Sequence, residues 1–583
     1  MNQNETDVLV IGSGGAGLRA AIEASKHASV QLISKGPMGR GGATVLAGAD
    51  IMADGRSLHK LGYPDDPSDT PEAWARDIVI EGFGLNDENL VEAYVHGAGP
   101  EIADLVEWGL SVRKTFNRAV ITSGASICAS LRRRLTACGD KVELIDRMMV
   151  IDLLLSDGGV VGAIGFDIAS GEFHVFRAKR VILATGGWHQ AYAFNAGPDE
   201  LTGDGQGMAY RAGAELVDME MVTFAPNILL APPKHRGSLW FYVLPGALLN
   251  ANGDAFLAWE DPKVAKLALT SEWNKLLFSK AAMREVRAGR GTPLGGVYFS
   301  MKHLPTNIFD ALEEEHKGWR FQGDDFSDLM NRMRDGLAVE VAPAAEYFEG
   351  GIRINERCES SLEGLYAAGE CTGGLFGANR VSAATTEMLV EGTIAGDAAG
   401  RAAAEMDSIP DPSTNVEKLI AASLAPLERS NGLSVRELRT RLQEMAYQKV
   451  GVIRNGSQLD EAVSALEELE AEVEKVSVRT KRRRENLEWC ETIELRNMVQ
   501  SVRLSALSAL ERTESRGVHM REDYPVVDNR RWRKHIVIRS DGSGPSLFHE
   551  PVRTEAEVPS EVIPYEVAIV QAAEALLSDP TGE

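Results

Sequence analysis

Short apolar runs alternate with segments of helical period along most of the chain, and their order is informative. Residues 7–11, DVLVI, make an unbroken apolar stretch of strand type, followed by GSGGAG at 12–17 and by LRAAIEASK at 18–26, whose spacing is helical. SVQLISK at 29–35 predicts a second strand, AKRVILATGG at 178–187 a strand that ends in a glycine turn, and GLYAAGECTGGLFGANR at 364–380 a strand followed by a small-residue helix start. Later, SALEELEAEVEKVS at 464–477 and CETIELRNMVQSVRLSALSALERTES at 490–515 carry apolar residues at helical spacing. PDPSTN at 410–415 interrupts the periodicity and reads as a linker. No apolar run is long enough to span a bilayer, and the N-terminus has neither a basic n-region nor a cleavage pattern, so a cytoplasmic location is expected.

Composition narrows the function classes. With 583 residues and 44% hydrophobic content the chain supports two to four domains with ordinary cores. Its net charge of −24 opposes attraction to phosphate backbones, which argues against a nucleic-acid partner, and KRRR at 481–484 reads as a local solvated patch. Cys128, Cys138, Cys358, Cys371 and Cys490 are scattered without metal-ligand spacing, so neither an iron-sulfur centre nor a structural zinc is expected within the chain.

The strand–glycine turn–helix at the N-terminus brings pyrophosphate against a helix N-terminus, where free amides and the helix dipole favour anionic oxygens. Gly12 serves the tight turn, Gly14 the close approach of phosphate and Gly17 the packing of helix on strand, with Gly15 and Ala16 between them. This pattern does not choose between NAD and FAD, and the second strand ends in Ser34 and Lys35 where a ribose-binding carboxylate is usual. Further glycine-rich turns at Gly41, Gly42, Ala43 and Thr44, at Ala184, Thr185, Gly186 and Gly187, around Asp204, at Gly369 and Glu370, and at Ala383 and Ala384 spread the ligand contacts over the chain. One long, extended cofactor such as FAD accounts for that spread.

Taken together, DVLVIGSGGAG, SKGPMGRGGAT, ATGGWHQAY, TGDGQGMAYRAGAELVDME, GLYAAGECTGGLFGANR and RTESRGVHMREDYP resemble the flavoprotein subunits of succinate dehydrogenase and fumarate reductase, a family that includes L-aspartate oxidase and the alpha subunit of adenylylsulfate reductase. The resemblance implies an α/β fold: a Rossmann-like FAD-binding domain at 1–222 and 345–412, interrupted by an α+β capping domain at 223–344 and followed by a helical C-terminal domain at 413–520. Residues 521–583 are then a tail that packs on the body. Several relatives attach FAD through a histidine, but the matching position here is Gly42 and no histidine lies between His27 and His59, so noncovalent FAD is expected.

Relatives that handle dicarboxylates clamp them with histidines and arginines and use an arginine as proton donor. On the same resemblance the first clamp histidine matches Ala225, the second Glu346, and the proton-donating arginine Lys275. Arg380 keeps both its residue type and its motif, and a guanidinium can hold a planar oxygen pair by two hydrogen bonds. If a cap closes over the flavin, burial would raise Glu346 toward neutral pKa and lower Lys275, making either a proton-transfer group. His235 and Arg236, which end VTFAPNILLAPPKHRG at 222–237, are further candidates that a loop would carry into the site.

The function expected is that of an FAD-dependent dehydrogenase or reductase. It transfers hydride between flavin N5 and a small anionic organic substrate, and exchanges electrons with a separate redox partner such as a ferredoxin-like iron-sulfur subunit. VRAGRGTPLGGVYFS at 286–300 resembles an element of adenylylsulfate reductase, so chemistry through a flavin-sulfite adduct is the enzymatic alternative, and an FAD-stabilised structural subunit the nonenzymatic one. An oligomer is compatible with the sequence, and no metal ligand set is found in it.

Overall fold

The computed structural model describes residues 1–240, 246–257, 261–270, 272–319, 325–553 and 561–577. Strand Asn2–Ile11 pairs in parallel with Val30–Ile33 on one side and with Phe173–Leu183 on the other. Val142–Ile145 extends this sheet beyond Val30–Ile33, and Leu365–Ala367 lies parallel to the end of Phe173–Leu183. The antiparallel strands Gly159–Asp167 and Met148–Ser156 complete it. Val8 to Val10, Leu32, Ile33 and Val181 to Leu183 are buried on both faces, which is why the parallel strands read as continuous apolar runs without alternation. Helices Gly15–Ala24 and Ala384–Ala404 pack against each other on the sheet, bringing the first and last glycine-rich segments to the same end of it.

A second sheet forms the cap. Its core is a long antiparallel ribbon of Val222–Ala231 and Val339–Phe348, extended by Val297–Ser300 and Ala247–Leu249. Both strands of the ribbon run through the positions 222/223 and 344/345, where the sequence suggested domain boundaries, so base and cap share one element. Val222 pairs with Phe348 and Thr223 with Tyr347; the register shifts after Thr223, between Ala225 and Ile228, and again after Leu229, and the middle shift is the longest interval. Pro226 lies in that interval, and a proline cannot donate to a ladder. Helix Trp273–Glu285 packs on the ribbon through Leu276, Leu277 and Met283, and the Ser279 hydroxyl donates to the Phe224 carbonyl at 2.6 Å.

Helices Val435–Lys449, Gly456–Val473 and Leu487–Glu511 form the helical region. Beyond it, the strands Lys534–Ser540 and Pro545–Pro551 add to a third sheet beside Leu216–Val217, so the tail packs on the body through backbone pairing. The RTESRGVHMRED segment is buried there as a charge network. Arg512 meets Glu220 at 2.6 Å and Asp218 at 3.3 Å, and Arg516 meets Glu514 at 2.7 Å. Buried ions are costly unless fully paired, and here several hydrogen bonds to each guanidinium meet that need. The network braces Asp218 and Glu220, immediately before the ribbon begins at Val222.

Candidate active site

The cradle is made of backbone. Gly12 has φ of +109°, and a side chain there would overlap the Ala184 carbonyl oxygen, while one at Gly17 would overlap the Gly12 carbonyl. Helix Gly15–Ala24 starts from Gly14 with no side-chain cap, and helix Ala384–Ala404 starts from Ala383 in the same way. Gly42 begins the short helix Ala43–Leu46, from which Thr44 Oγ1 accepts a hydrogen bond from the Gly15 N–H at 3.0 Å. Gly41 comes close to the Glu200 carboxylate. Thr185 Oγ1 accepts from Gly205 N–H at 3.1 Å, and the Gly186 carbonyl accepts from Gln206 at 3.0 Å. Glu370 Oε2 accepts from the Gly187 N–H at 3.1 Å, and Gly369 N–H donates to Glu391 at 2.7 Å.

Three residues of the expected cofactor set hold other protein groups. Ser34 Oγ takes the Ser13 hydroxyl at 2.8 Å. Lys35 reaches Asp204 at 2.9 Å and Glu494 at 2.8 Å, and these carboxylates raise its pKa against the opposing effect of burial. It braces helix Asp204–Ala212 against helix Leu487–Glu511.

FAD fits this donor set. Apart from the Gly15 N–H held by Thr44, two helix starts without a capping side chain at the N-cap leave N–H groups for pyrophosphate and for a carbonyl-bearing ring. The close approaches at Gly12 and Gly17 leave no space for side chains beside the turn. Glu370 Oε1 is a buried acceptor with no hydrogen-bond donor among the described residues, suited to a hydroxyl or ring N–H.

Above the cradle, four segments bring five charged groups together. Arg380 lies in the loop before helix Ala384–Ala404, Glu346 near the base of the ribbon, Glu272 and Lys275 at the start of the cap helix, and Asp50 on strand Asp50–Met52. Lys275 Nζ stands 2.8 Å from Glu346 Oε1, and Arg380 Nη2 stands 3.0 Å from Glu346 Oε2. Lys275 also meets Glu272 as an ion pair, and Arg380 Nη2 lies 3.9 Å from the same carboxylate. Arg380 Nη1 donates to the Ser382 carbonyl at 3.1 Å, and the guanidinium sits 4.6 Å over the Tyr347 ring. The Tyr347 hydroxyl donates to Glu387. Arg380 Nε is buried and has no partner among the described residues.

This geometry corrects part of the sequence reading. Burial acting on Glu346 would raise its pKa, but Lys275 and Arg380 outweigh it and hold the group at about 2, so it is a fixed counter-ion and not the proton-transfer carboxyl expected. The same contacts weaken the attraction that a free Lys275 and Arg380 would have for an anionic substrate. His235 and Arg236 are not brought to the cluster. His235 Nε2 is paired with Asp328 at 2.9 Å in the cap, and Arg236 is exposed.

The structure adds acids that the sequence reading passed over, Asp50, Glu272 and Glu349, and perturbs Glu370, which that reading placed at the cofactor. Burial, with Glu272 nearby, raises Asp50 to about 7, and Lys275 and Arg380 only partly offset that rise. Asp50 Oδ1 is buried without a hydrogen-bond partner among the described residues. Glu349, which accepts from the Thr223 hydroxyl and from the Arg380 N–H, is raised by burial to about 7. Burial likewise raises Glu370 to about 8 and lowers His189 to about 4, leaving that imidazole neutral. His189 Nε2 donates to the Glu346 carbonyl at 2.9 Å and lies 3.4 Å from Glu370 Oε1, which joins the charged cluster to the cradle. Glu272 was legible in principle, three residues before Lys275 on a helix, whereas nothing around Asp50 distinguishes it.

Comparison with known proteins agrees with this architecture. Residues 7–386 match the model of an FAD binding domain, and residues 439–565 that of the fumarate reductase flavoprotein C-terminus. One of the subunits of the CoM/CoB fumarate reductase of Methanothermobacter marburgensis is 33% identical over 92% of this chain and 97% of its own length. The fumarate reductase flavoprotein subunit of Mycobacterium tuberculosis is 30% identical over 92% of this chain and 95% of its own. Among solved structures, Mycobacterium smegmatis Sdh1 in complex with UQ1 superposes with a TM-score of 0.84 at 28% identity, covering 96% of both chains. Adenosine-5-phosphosulfate reductase in complex with sulfite, at 22% identity and a TM-score of 0.75 over 96% of this chain and 97% of its own, shares the fold.

Proposed function

The chain belongs to the FAD-binding succinate dehydrogenase/fumarate reductase flavoprotein family, and on that premise we propose that this FAD-dependent oxidoreductase transfers hydride between flavin N5 and a small organic substrate held beneath the cap. The observation that carries this reading is the wall shared by cradle and cluster. Arg380 stands three residues before the helix start at Ala383, and His189 spans Glu370 and the carbonyl of Glu346. A substrate touching Arg380 is thereby placed against the cofactor site.

Gly12, Gly14, Gly15, Thr44, Gly369 and Ala383 would hold FAD, and Gly42 offers no side chain for attachment, which supports noncovalent binding. FAD supplies two-electron chemistry at N5 when bound. Arg380 binds and orients a substrate oxygen through Nε, and Glu346 keeps the guanidinium in place. Asp50 holds or takes the accompanying proton at its carboxyl, whose pKa of about 7 suits exchange in either direction at neutral pH. Tyr347 and Phe348 cover the site from the ribbon and exclude water. Electrons enter or leave through a separate redox protein, a role supported by the naming of relatives as subunits.

Two measurements on the purified chain test this. After acid precipitation the yellow colour is expected in the supernatant; colour kept in the pellet would sink noncovalent binding. Anaerobically reduced enzyme is then mixed with a panel of unsaturated organic acceptors, and oxidised enzyme with their saturated forms. Return or loss of the visible flavin band with at least one pair is expected, and no change with any pair would defeat the proposal.

A further inference from the structure

The Arg380 guanidinium has little left to offer a substrate. Nη2 is shared by both oxygens of Glu346, at 3.0 and 3.3 Å, and Nη1 donates to the Ser382 carbonyl at 3.1 Å. Side-on and end-on bidentate grips both need Nη2, so neither is free for a carboxylate. The guanidinium nitrogen with no partner among the described residues is Nε, which is buried. Lys275 is engaged on both sides, by Glu346 and by Glu272.

The charge balance points the same way. Two cations, Lys275 and Arg380, face three carboxylates, Asp50, Glu272 and Glu346, so the cluster carries no surplus of positive charge. A dicarboxylate would have to displace Glu346 from its two partners, which leaves a carboxylate unpaired in a poorly solvated place. Asp50 meanwhile presents a buried Oδ1 with no donor among the described residues. A donor on the substrate would complete it.

We infer that the site selects substrates of no net negative charge, which give one carbonyl or carboxylate oxygen to Arg380 Nε and an amine or hydroxyl donor to Asp50. Glu346 and Asp50 are the residues that set this preference, one by occupying the guanidinium and the other by receiving the donor. The inference rests on the reading that this cluster is the substrate site of the oxidoreductase, and binding alone tests it separately from electron transfer.

The test is anaerobic calorimetric titration of the chain loaded with reduced FAD, which cannot take hydride from a saturated ligand, with three compounds of similar length: succinate, butyrate and 4-aminobutyrate. 4-Aminobutyrate is expected to bind about tenfold or more tightly than succinate, a difference of about 1.4 kcal/mol, with butyrate between them. Asp50→Asn should erase the advantage of 4-aminobutyrate over butyrate. Glu346→Gln should tighten succinate by about tenfold, which a merely structural glutamate would not do. Flavin content and far-ultraviolet circular dichroism check that the variants fold, and the wild-type ranking stands without them. Succinate binding as tightly as 4-aminobutyrate, or no binding by any of the three at about 50 mM, well above ordinary weak affinities, would overturn the inference. If the ranking holds but no unsaturated compound exchanges electrons with the flavin, the selectivity stands and the redox reading fails. Electron transfer with a reversed ranking has the opposite meaning.

Discussion

The cradle and the cluster above it adjoin but are built on different physics. In the cradle, backbone N–H groups and close-packed glycines define a shape, with Gly12 against Ala184 and Gly17 against Gly12. In the cluster, long charged side chains from four distant segments define a balance, with Glu346 set against Lys275 and Arg380. Shape of the first kind tolerates no side chain but is indifferent to charge. Balance of the second kind tolerates changes of size and is upset by a single proton or amide. One fold can therefore keep its cofactor while its choice of substrate is altered by a few substitutions.

The comparison breaks most sharply at Gly12. Gly12→Val places a β-branched side chain at a φ of +109° and against the Ala184 carbonyl. Strain and overlap together should cost about 4 kcal/mol, or about a thousandfold in FAD affinity. Flavin absorbance per chain after dialysis measures this, and full retention would show that the turn is not the cradle. The cluster's charge should survive that change.

Glu346→Gln is the converse, disturbing charge while leaving the cradle intact. Removing one partner of a buried pair costs about 3 kcal/mol, and thermal unfolding of variant against wild type should show it with flavin content unchanged. The sign with pH follows from the depressed pKa. Glu346 falls from 4.5 in the unfolded chain to about 2 in the folded one, so its stabilisation is complete above 4.5 and is lost as pH falls toward 2. The gap between wild type and variant should therefore close over that interval; a gap independent of pH would contradict the ion-pair account.

Arg380→Lys keeps the charge but loses the Nε donor and the planar contact with Tyr347. Single-turnover electron transfer with whichever substrate is found active should fall about a hundredfold, the loss typical of one positioned donor. An unchanged rate would remove Arg380 from the site.

A pH-dependent effect sharpens the contrast at the wall between the two regions. Glu370 is raised from 4.5 to about 8 by burial, so the folded chain holds its proton where the unfolded chain has released it. Its contribution to stability consequently declines as pH rises from 4.5 to about 8, opposite in sign to that of Glu346. Glu370→Gln should flatten this decline by a slope of about 1.4 kcal/mol per pH unit, in unfolding measured across that range. A steeper decline would mean that Glu370 is ionised.

Sequence alone determined the parallel sheet, the glycine cradle and the suitability of both for FAD, because those features depend on residues adjacent in the chain. An apolar strand, a glycine turn and a helix are specified within residues 7–24, and their chemistry lies in the backbone. It also singled out Arg380, Glu346 and Lys275, through motifs whose places in the fold are shared by relatives. Tertiary structure decided what those groups do. Whether Glu346 is an acid or a counter-ion depends on Lys275 and Arg380 arriving within hydrogen-bond distance from the cap helix and from the loop before helix Ala384–Ala404. The role of Asp50 depends on burial beside Glu272, and that of His235 on Asp328 in the cap. Electrostatic energy depends on separation and solvent exposure in three dimensions, and neither is encoded in the local spacing of residues.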